Sequence, residues 1–221
     1  MAHYFSRAKP RSKVLILDAN DDVVSKGALF KRLWAQRYPG MIEYRPRFNT
    51  VRAESNAVFS EIGDRVDGAV LNVIAPQRAG AIAAQTGLAN INQRWCGVNF
   101  LSFESTAMAN VHVLGDAIQT SPLMPKSAHM ANQHAKVCAA AVVDMLRGGA
   151  PDANPVLTNT CYSFISDTEV IHVASVHAYD AAQKTLIVVP GSGGVSSDIS
   201  AQEGIYAFHW ARNIWADTLG L

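Results

Sequence analysis

The sequence predicts an α/β fold that gives way to an α+β segment toward its carboxyl end. An almost continuous apolar run from Lys13 to Asp18 ends in an acid, which is typical of a strand buried on both faces in a parallel sheet. Apolar residues then recur at helical spacing up to Tyr38, and a strand resumes at Met41, so these elements form one βαβ unit. From Thr158 onward the pattern changes to that of antiparallel strands.

The composition indicates a globular protein with a core. Of 221 residues, 49% are hydrophobic and 17% are charged, which excludes disordered and fibrous classes. The net charge is +1, and no segment interleaves clustered basic residues with aromatic ones. Because nucleic-acid binders depend on such charge, we expect no nucleic-acid partner.

We expect neither a membrane span nor a signal peptide in this sequence. No apolar run approaches the roughly 18 residues that a bilayer requires. The apolar stretch Val14 to Leu17 is far shorter than the roughly 7 to 15 residues of a signal's apolar region. The three cysteines have no CxxC spacing, and His129 and His134 lie on different faces of one predicted helix, so we predict no metal site.

The middle of the chain predicts short elements. Residues 50–67 have the pattern of short antiparallel strands, and Gly68 to Ile74 that of a second buried strand. A short helix is expected around Ala81 to Gln85. Val111 to Leu114 predicts another buried strand, which Gly115-Asp116 closes.

A long helix follows the Pro122 to Pro125 turn and ends near Arg147, where Gly148 suits the left-handed position after a helix. Strands are predicted at Val170 to Tyr179 and Lys184 to Val189, separated from the last helix by a turn at residues 190–194. That helix is predicted to be amphipathic, with its apolar residues at Ile205, Phe208, Ala211, Ile214, Trp215 and Leu219.

The best candidate for a ligand site is the Gly115-Asp116 turn together with the start of the long helix. Glycine lets a ligand approach the backbone, and Asp116 can accept hydrogen bonds from sugar-type hydroxyls. Lys126 and Ser127 lie in the predicted first turn of the helix, whose N–H groups favour an anionic or electron-rich ligand. The arrangement suits a flavin, and the alternative is an ordinary capped helix.

Cys161 begins the predicted antiparallel region and allows two interpretations. It is either a small buried residue at a strand start or a redox thiol. Cys138 fits packing on the long helix, and Cys96 has no base nearby in sequence.

Five runs of the sequence match a known family in order and spacing: Ala75 to Gly80 (APQRAG), Phe103 to Ser105 (FES), Val111 to Ala117 (VHVLGDA), Met124 to Ser127 (MPKS) and Asn159 to Ser163 (NTCYS). They resemble the flavin-binding subunit of flavocytochrome c sulfide dehydrogenase. The similarity extends from His3 to Leu219, and MPKS followed by NTCYS is its most specific part. It implies a partial dinucleotide-binding (Rossmann-like) FAD/NAD(P) flavoprotein fold with a C-terminal α+β domain.

The resemblance divides the chain into three regions. Residues 1–76 correspond to the second half of an NAD-like domain, 77–150 to the C-terminal part of an FAD-binding domain, and 151–221 to the family's C-terminal domain. The chain is similar to the second half of that subunit only. The resemblance implies that the GxGxxG segment and the second disulfide cysteine lie on an N-terminal half that this sequence does not include. We expect this chain to bind either that half or a second copy of itself.

The resemblance also implies roles for the candidate residues. Gly115 and Asp116 would hold the ribityl chain of FAD, and the turn that contains Pro125, Lys126 and Ser127 would face the flavin ring. Cys161 would be one of two disulfide sulfurs that react with sulfide, from which electrons pass through flavin to a cytochrome c subunit. The family is periplasmic. The alternatives are a sulfide:quinone or NAD(P)H-dependent flavin reductase, and a non-catalytic remnant that binds no flavin.

Overall fold

The computed structural model describes residues 1–220, which form two compact units of mixed α/β structure. The first unit contains Met1–Pro76, Phe164–Ile171 and Ser197–Gly204. The second contains Gln77–Ser163, His172–Ser196 and the described chain from Ile205 onward. The predicted three-region division by domain type stays a prediction.

The first unit begins with a βαβ arrangement, as predicted. Parallel strands β1 and β2 pair Val14 with Ile42, and helix α2 connects them. Strands β3, β4 and β5 form an antiparallel sheet in that order, which confirms the prediction for residues 50–67. The bounds are α1 Ala2–Ala8, β1 Val14–Leu17, α2 Gly27–Arg37, β2 Ile42–Arg45, β3 Thr50–Ala53, β4 Ala57–Ser60 and β5 Arg65–Asp67.

The core of the first unit joins residues that are far apart in sequence. Leu33 packs with Ile165 and Ile171, and the hydroxyl of Tyr38 donates to the carbonyl of Ile165. Strand β1 is half-buried at all four positions, so the prediction of a strand buried on both faces was wrong. Its sheet has just two strands, which leaves β1 at an edge.

The later elements include two long helices and an antiparallel sheet. The sheet has the order β6-β7-β8, with β9 also paired to β7, and it confirms the predicted antiparallel region. The bounds are α3 Ala81–Gln85, α4 Ala128–Leu146, β6 Val156–Phe164, β7 Val170–Asp180, β8 Thr185–Val188, β9 Gly194–Val195 and α5 Ala201–Leu219.

The core of the second unit lies between α4 and the β6-β7-β8 sheet. It contains Phe103, Ile118, Met130, Leu157 and Leu186, all buried. Helix α4 ends as predicted: residue 147 caps it, and the following glycine has a φ of 79°. A helix end of this kind favours glycine, which has no Cβ.

Two predicted buried strands do not form. The Gly68 to Ile74 segment has no strand, and Val70, Val73 and Ile74 are exposed. Val111 to Leu114 forms a single bridge, between Glu104 and His112, rather than a strand. An apolar run supplies the side chains of a buried strand, but a strand also needs a neighbour with which to share its backbone hydrogen bonds.

Helix α5 forms where it was predicted, but much of its apolar surface faces solvent. Ile205, Phe208, Trp215 and Leu219 are 49%, 56%, 63% and 65% exposed. At 3.6 residues per turn they share one stripe with Arg212. Within the described residues, no helix combines the length and apolarity needed to cross a membrane.

Candidate functional site

The predicted Gly-Asp turn is a short 3-10 turn, Gly115–Ala117, that lies against α4. Gly115 is buried and has a φ of 69°, a backbone conformation that favours glycine. A Cβ on Gly115 would lie 3.4 Å from the Cβ of Ala131 on α4. The chain therefore turns directly over the helix and presents the exposed side chain of Asp116.

The side chain of Lys126 ties this turn to the start of α4. Its Nζ donates to the backbone carbonyls of Asp116, at 2.8 Å, and Ile118, at 2.6 Å. It also lies 3.7 Å from the ring centroid of Trp95. Desolvation lowers the pKa of Lys126, and the nearby Asp116 opposes this shift. Lys126 precedes the helix, so its predicted place in the first helical turn was wrong.

We expect Lys126→Met to destabilise the second unit by about 1–2 kcal/mol, because the carbonyls of Asp116 and Ile118 lose a charged donor while the side-chain stem keeps its length. The measurement is urea unfolding. Lys136→Met is the matched control, since its pair with Asp217 is solvent-exposed and such pairs contribute about 0–1 kcal/mol. Equal losses in the two variants would contradict the prediction.

Ser127 is the N-cap of α4. Its Oγ accepts a hydrogen bond from the N–H of Met130 at 3.1 Å. The first helical hydrogen bond runs from Ala131 to the carbonyl of Ser127 at 2.9 Å. The amides of Ala128 and His129 precede that bond, and N–H groups at this position are donors for an electron-rich ligand.

The capping serine is connected to Cys161 through Asn159. Ser127 Oγ donates to Asn159 Oδ1 at 2.6 Å, and Asn159 Nδ2 lies 3.4 Å from Cys161 Sγ. Asn159 is 3% exposed, whereas Cys161 is half-buried. The MPKS and NTCYS runs, separated by more than thirty residues in the sequence, thus meet in space.

Asn159 was missed at the sequence level. Residues two apart in a strand share a face, so its position two before Cys161 on β6 was the signal that places both side chains together. Its link to Ser127 had no such signal, because it joins a strand to a helix far away in sequence.

A second contact fixes the first turn of α4 against β6. The N–H of Thr160 donates to His129 Nδ1 at 3.0 Å. The His129 ring meets Trp210 edge to face, with the centroids 5.8 Å apart. Burial lowers the pKa of His129, so the ring is held in its neutral form as an acceptor.

A buried histidine lies behind the Gly115 turn. His134 on α4 is 1% exposed, its Nδ1 accepts from the N–H of Gly115 at 3.2 Å, and its ring centroid is 4.5 Å from that of Phe103. Burial, with smaller contributions from Lys126 and His177, lowers the pKa of His134 to about 4. The neutral ring therefore supports the backbone of the turn as an acceptor.

The structure brings most of the predicted site residues together. Hydrogen bonds join Lys126 to the 115–117 turn, and Ser127 through Asn159 to Cys161, all within the second unit. Pro125 lies in the turn that leads into α4. Their predicted roles toward a ligand stay predictions.

The other cysteines lie elsewhere. Cys96 and Cys138 are buried, and burial raises the pKa of both thiols. The three cysteines form no disulfide with one another in the described chain. Residues 1–220 also contain no group of three histidine, cysteine or acidic side chains that could hold a metal ion.

The donor set suits a flavin. Asp116 offers an exposed carboxylate for hydroxyl groups, and the amides that begin α4 offer donors for an electron-rich ring edge. The half-buried sulfur of Cys161 lies near the same helix start. The chemistry of these groups therefore fits the cofactor class inferred from the sequence.

Solved structures support the α/β fold at low sequence identity. A chain of the mitochondrial ATP synthase of Tetrahymena thermophila, from the cryo-EM structure of the F1Fo composite tetramer, matches with a TM-score of 0.55 and 18% identity over 74% of this chain and 40% of that one. The crystal structure of Fdr9 matches with a TM-score of 0.54 and 15% identity over 86% of this chain and 52% of that one. This chain thus spans about half the length of these structures or less.

Two family models match the sequence and together cover well over half of it. Residues 153–219 match the flavin-binding domain of flavocytochrome c sulphide dehydrogenase, so the chain is a flavoprotein and its cofactor is a flavin. Residues 1–75 match the central domain of the sulfide dehydrogenase [flavocytochrome c] flavoprotein chain. The chain belongs to the flavocytochrome c sulfide dehydrogenase flavoprotein family.

Proposed function

We propose that this chain is part of an FAD-dependent oxidoreductase of Rossmann-like architecture that passes electrons from sulfide through flavin to a cytochrome c subunit. The observation that carries the proposal is the link from Ser127 through Asn159 to Cys161. This link supports the proposal because it connects Cys161, the predicted redox thiol, to the start of α4, which is predicted to face the flavin. Membership of a flavocytochrome family supports the cytochrome partner.

Different groups of the second unit would bind different parts of the flavin. The Asp116 carboxylate on the Gly115 turn would accept hydrogen bonds from the ribityl hydroxyls, while Lys126 holds that turn to α4. The first amides of α4 would donate to the ring edge, and the positive end of the helix dipole would favour added negative charge there. When bound, the flavin accepts two electrons and releases them singly.

Cys161 contributes one sulfur of a disulfide with a second cysteine. Hydrosulfide attacks the second sulfur, a new sulfur–sulfur bond forms there, and the bond to Cys161 breaks. The electron pair of that bond stays on Cys161 as a thiolate. The half-buried position of Cys161 leaves its sulfur accessible to a second cysteine.

Flavin binding by this chain is the direct test. We expect riboflavin and FAD to bind with similar affinity in a fluorescence titration, because the groups described here would hold the ring and the ribityl chain and not the pyrophosphate. Asp116→Ala is expected to weaken both about tenfold or more, since a hydrogen bond to a charged group is lost. Asp152→Ala, on an exposed loop, is the control. No binding of either flavin to the folded chain would contradict this site.

A turnover experiment distinguishes the acceptors. The chain is combined with the N-terminal portion of a family flavoprotein as a separate polypeptide, and sulfide-dependent reduction of cytochrome c is followed. Reduction of a quinone or oxidation of NAD(P)H instead would favour the related reductases. Absence of all three activities in a flavin-loaded complex would favour a non-catalytic remnant.

The proposal includes a periplasmic location and an assembled state. A disulfide mechanism suits an oxidising compartment. The exposed apolar residues Val70, Val73 and Ile74 support either self-association or cover by a further polypeptide. Light scattering with and without the N-terminal portion measures which of these occurs.

A further inference from the structure

The buried amide of Asn159 has a fixed orientation. The N–H of Met130 donates to Ser127 Oγ, so the serine hydroxyl hydrogen is available to Asn159 Oδ1, 2.6 Å away. The other end of the amide, Nδ2, lies 3.4 Å from Cys161 Sγ and is its nearer contact. The neutral thiol also donates to Oδ1 at 3.7 Å, and this contact is lost when the sulfur ionises, whereas the Nδ2 donor remains. A reversed amide would turn its oxygen toward the sulfur and leave the serine hydroxyl hydrogen without this acceptor.

We propose that Asn159 is a positioning residue that holds the sulfur of Cys161 with an N–H donor and stabilises its thiolate. A donor aimed at an ionised sulfur favours the ionised form over the neutral thiol. The amide is itself held from α4 through Ser127, so the donor stays in place when the charge develops.

The inference deepens the proposed function and rests on it at one step. When hydrosulfide opens the disulfide, the sulfur that leaves keeps the electron pair of the broken bond. The Asn159 N–H assigns that leaving position to Cys161 and the attacked position to the other cysteine. The hydrogen bond itself requires neither flavin nor sulfide, and it is testable on this chain alone.

The test is the rate at which iodoacetamide alkylates Cys161 as a function of pH. Asn159→Asp keeps the shape and the acceptor for Ser127 but replaces the N–H donor with a carboxylate oxygen. We expect alkylation near neutral pH to slow about tenfold or more, because a hydrogen bond to a charged group is replaced by repulsion. At alkaline pH, where Cys161 is ionised in the parent and in the variant, the two alkylation rates are expected to converge.

The pH profile separates this role from a structural one. Slower alkylation by the same factor at every pH would mean that the substitution changes access to the sulfur, and it would overturn the proposal, as would an unchanged profile. Cys161→Ser gives the background from the buried Cys96 and Cys138, and Asn154→Asp is the exposed control.

A second variant covers the case in which Asn159→Asp does not fold. Asn159→Val suits a strand and removes the amide donor without adding another donor or a charge. Slower alkylation near neutral pH and convergence at alkaline pH are again expected, by a smaller factor than in Asn159→Asp. If the chain binds no flavin but the Asn159 variants show the expected slowing of alkylation near neutral pH, the proposed function is rejected and the positioning role of Asn159 stands. The reverse pattern would reject the positioning role alone.

Discussion

Replacing Gly193 with alanine is expected to lower the free energy of unfolding by about 3 kcal/mol, at the upper end of the usual cost of overpacking. A Cβ at this position would overlap the carbonyl oxygen of Ala174 and lie 3.0 Å from the Cα of Ser175. Both are backbone atoms of β7, so no side-chain rotation relieves the overlap. The β7–β9 pairing next to it would have to separate. Urea unfolding of parent and variant measures the difference.

Gly194→Ala is the matched control for this prediction. Gly194 is the next residue, pairs with Ala174 in the same ladder, and has open space where its Cβ would lie. We expect its free energy of unfolding to change by no more than about 0.5 kcal/mol. Similar losses in both variants would show that the backbone of β7 does not limit this position.

Acid is expected to destabilise the protein through His134. Its pKa is about 4 in the folded chain, below the ordinary value of 6.5, so the unfolded chain binds the proton first as the pH falls. The stabilisation is complete above about pH 6.5 and is lost as the pH falls toward 4, with about 2 kcal/mol gone by about pH 5. Burial also lowers the pKa of His177, which adds to the loss in the same direction.

Denaturant unfolding at neutral pH and at about pH 5 tests this assignment. His134→Gln keeps an acceptor for the Gly115 N–H and does not titrate, so we expect it to be less stable at neutral pH but to lose less on acidification. His209→Gln removes an exposed histidine of α5 and is expected to retain the parental acid dependence. A His134→Gln variant with the full acid loss would rule out this residue as its source.

Local signals in the sequence predicted the elements whose geometry is set locally. The βαβ unit, the end of α4 at its glycine and the α5 helix follow from spacing and from backbone conformation. The predictions of buried strands at Gly68 to Ile74 and Val111 to Leu114 were wrong for a different reason. Their apolar content suits a strand, but pairing depends on residues distant in sequence.

In the candidate site, too, local sequence predicted single residues but not the contacts between distant ones. Asp116, Ser127 and Cys161 could be selected from their local context and from the family resemblance. The connection through Asn159 could not, because the Ser127 hydrogen bond joins residues 32 apart. The spacing of His129 and His134 indicated that they lie on different faces of one helix, but not that His134 accepts a hydrogen bond from the N–H of Gly115.

The divided make-up of the first unit affects the order in which the protein folds during synthesis. Its early residues emerge from the ribosome well before Val170 and Ser200, whose backbones exchange hydrogen bonds, and before Glu169, which pairs with Arg37. At about 5–20 residues per second, synthesis of the chain from Pro76 to Gly204, where the first unit ends, takes on the order of ten seconds. During that interval the apolar face around Leu33 lacks Ile165 and Ile171 and is exposed to chaperones. The amino-terminal part of this chain is thus synthesised first but is among the last parts to finish folding.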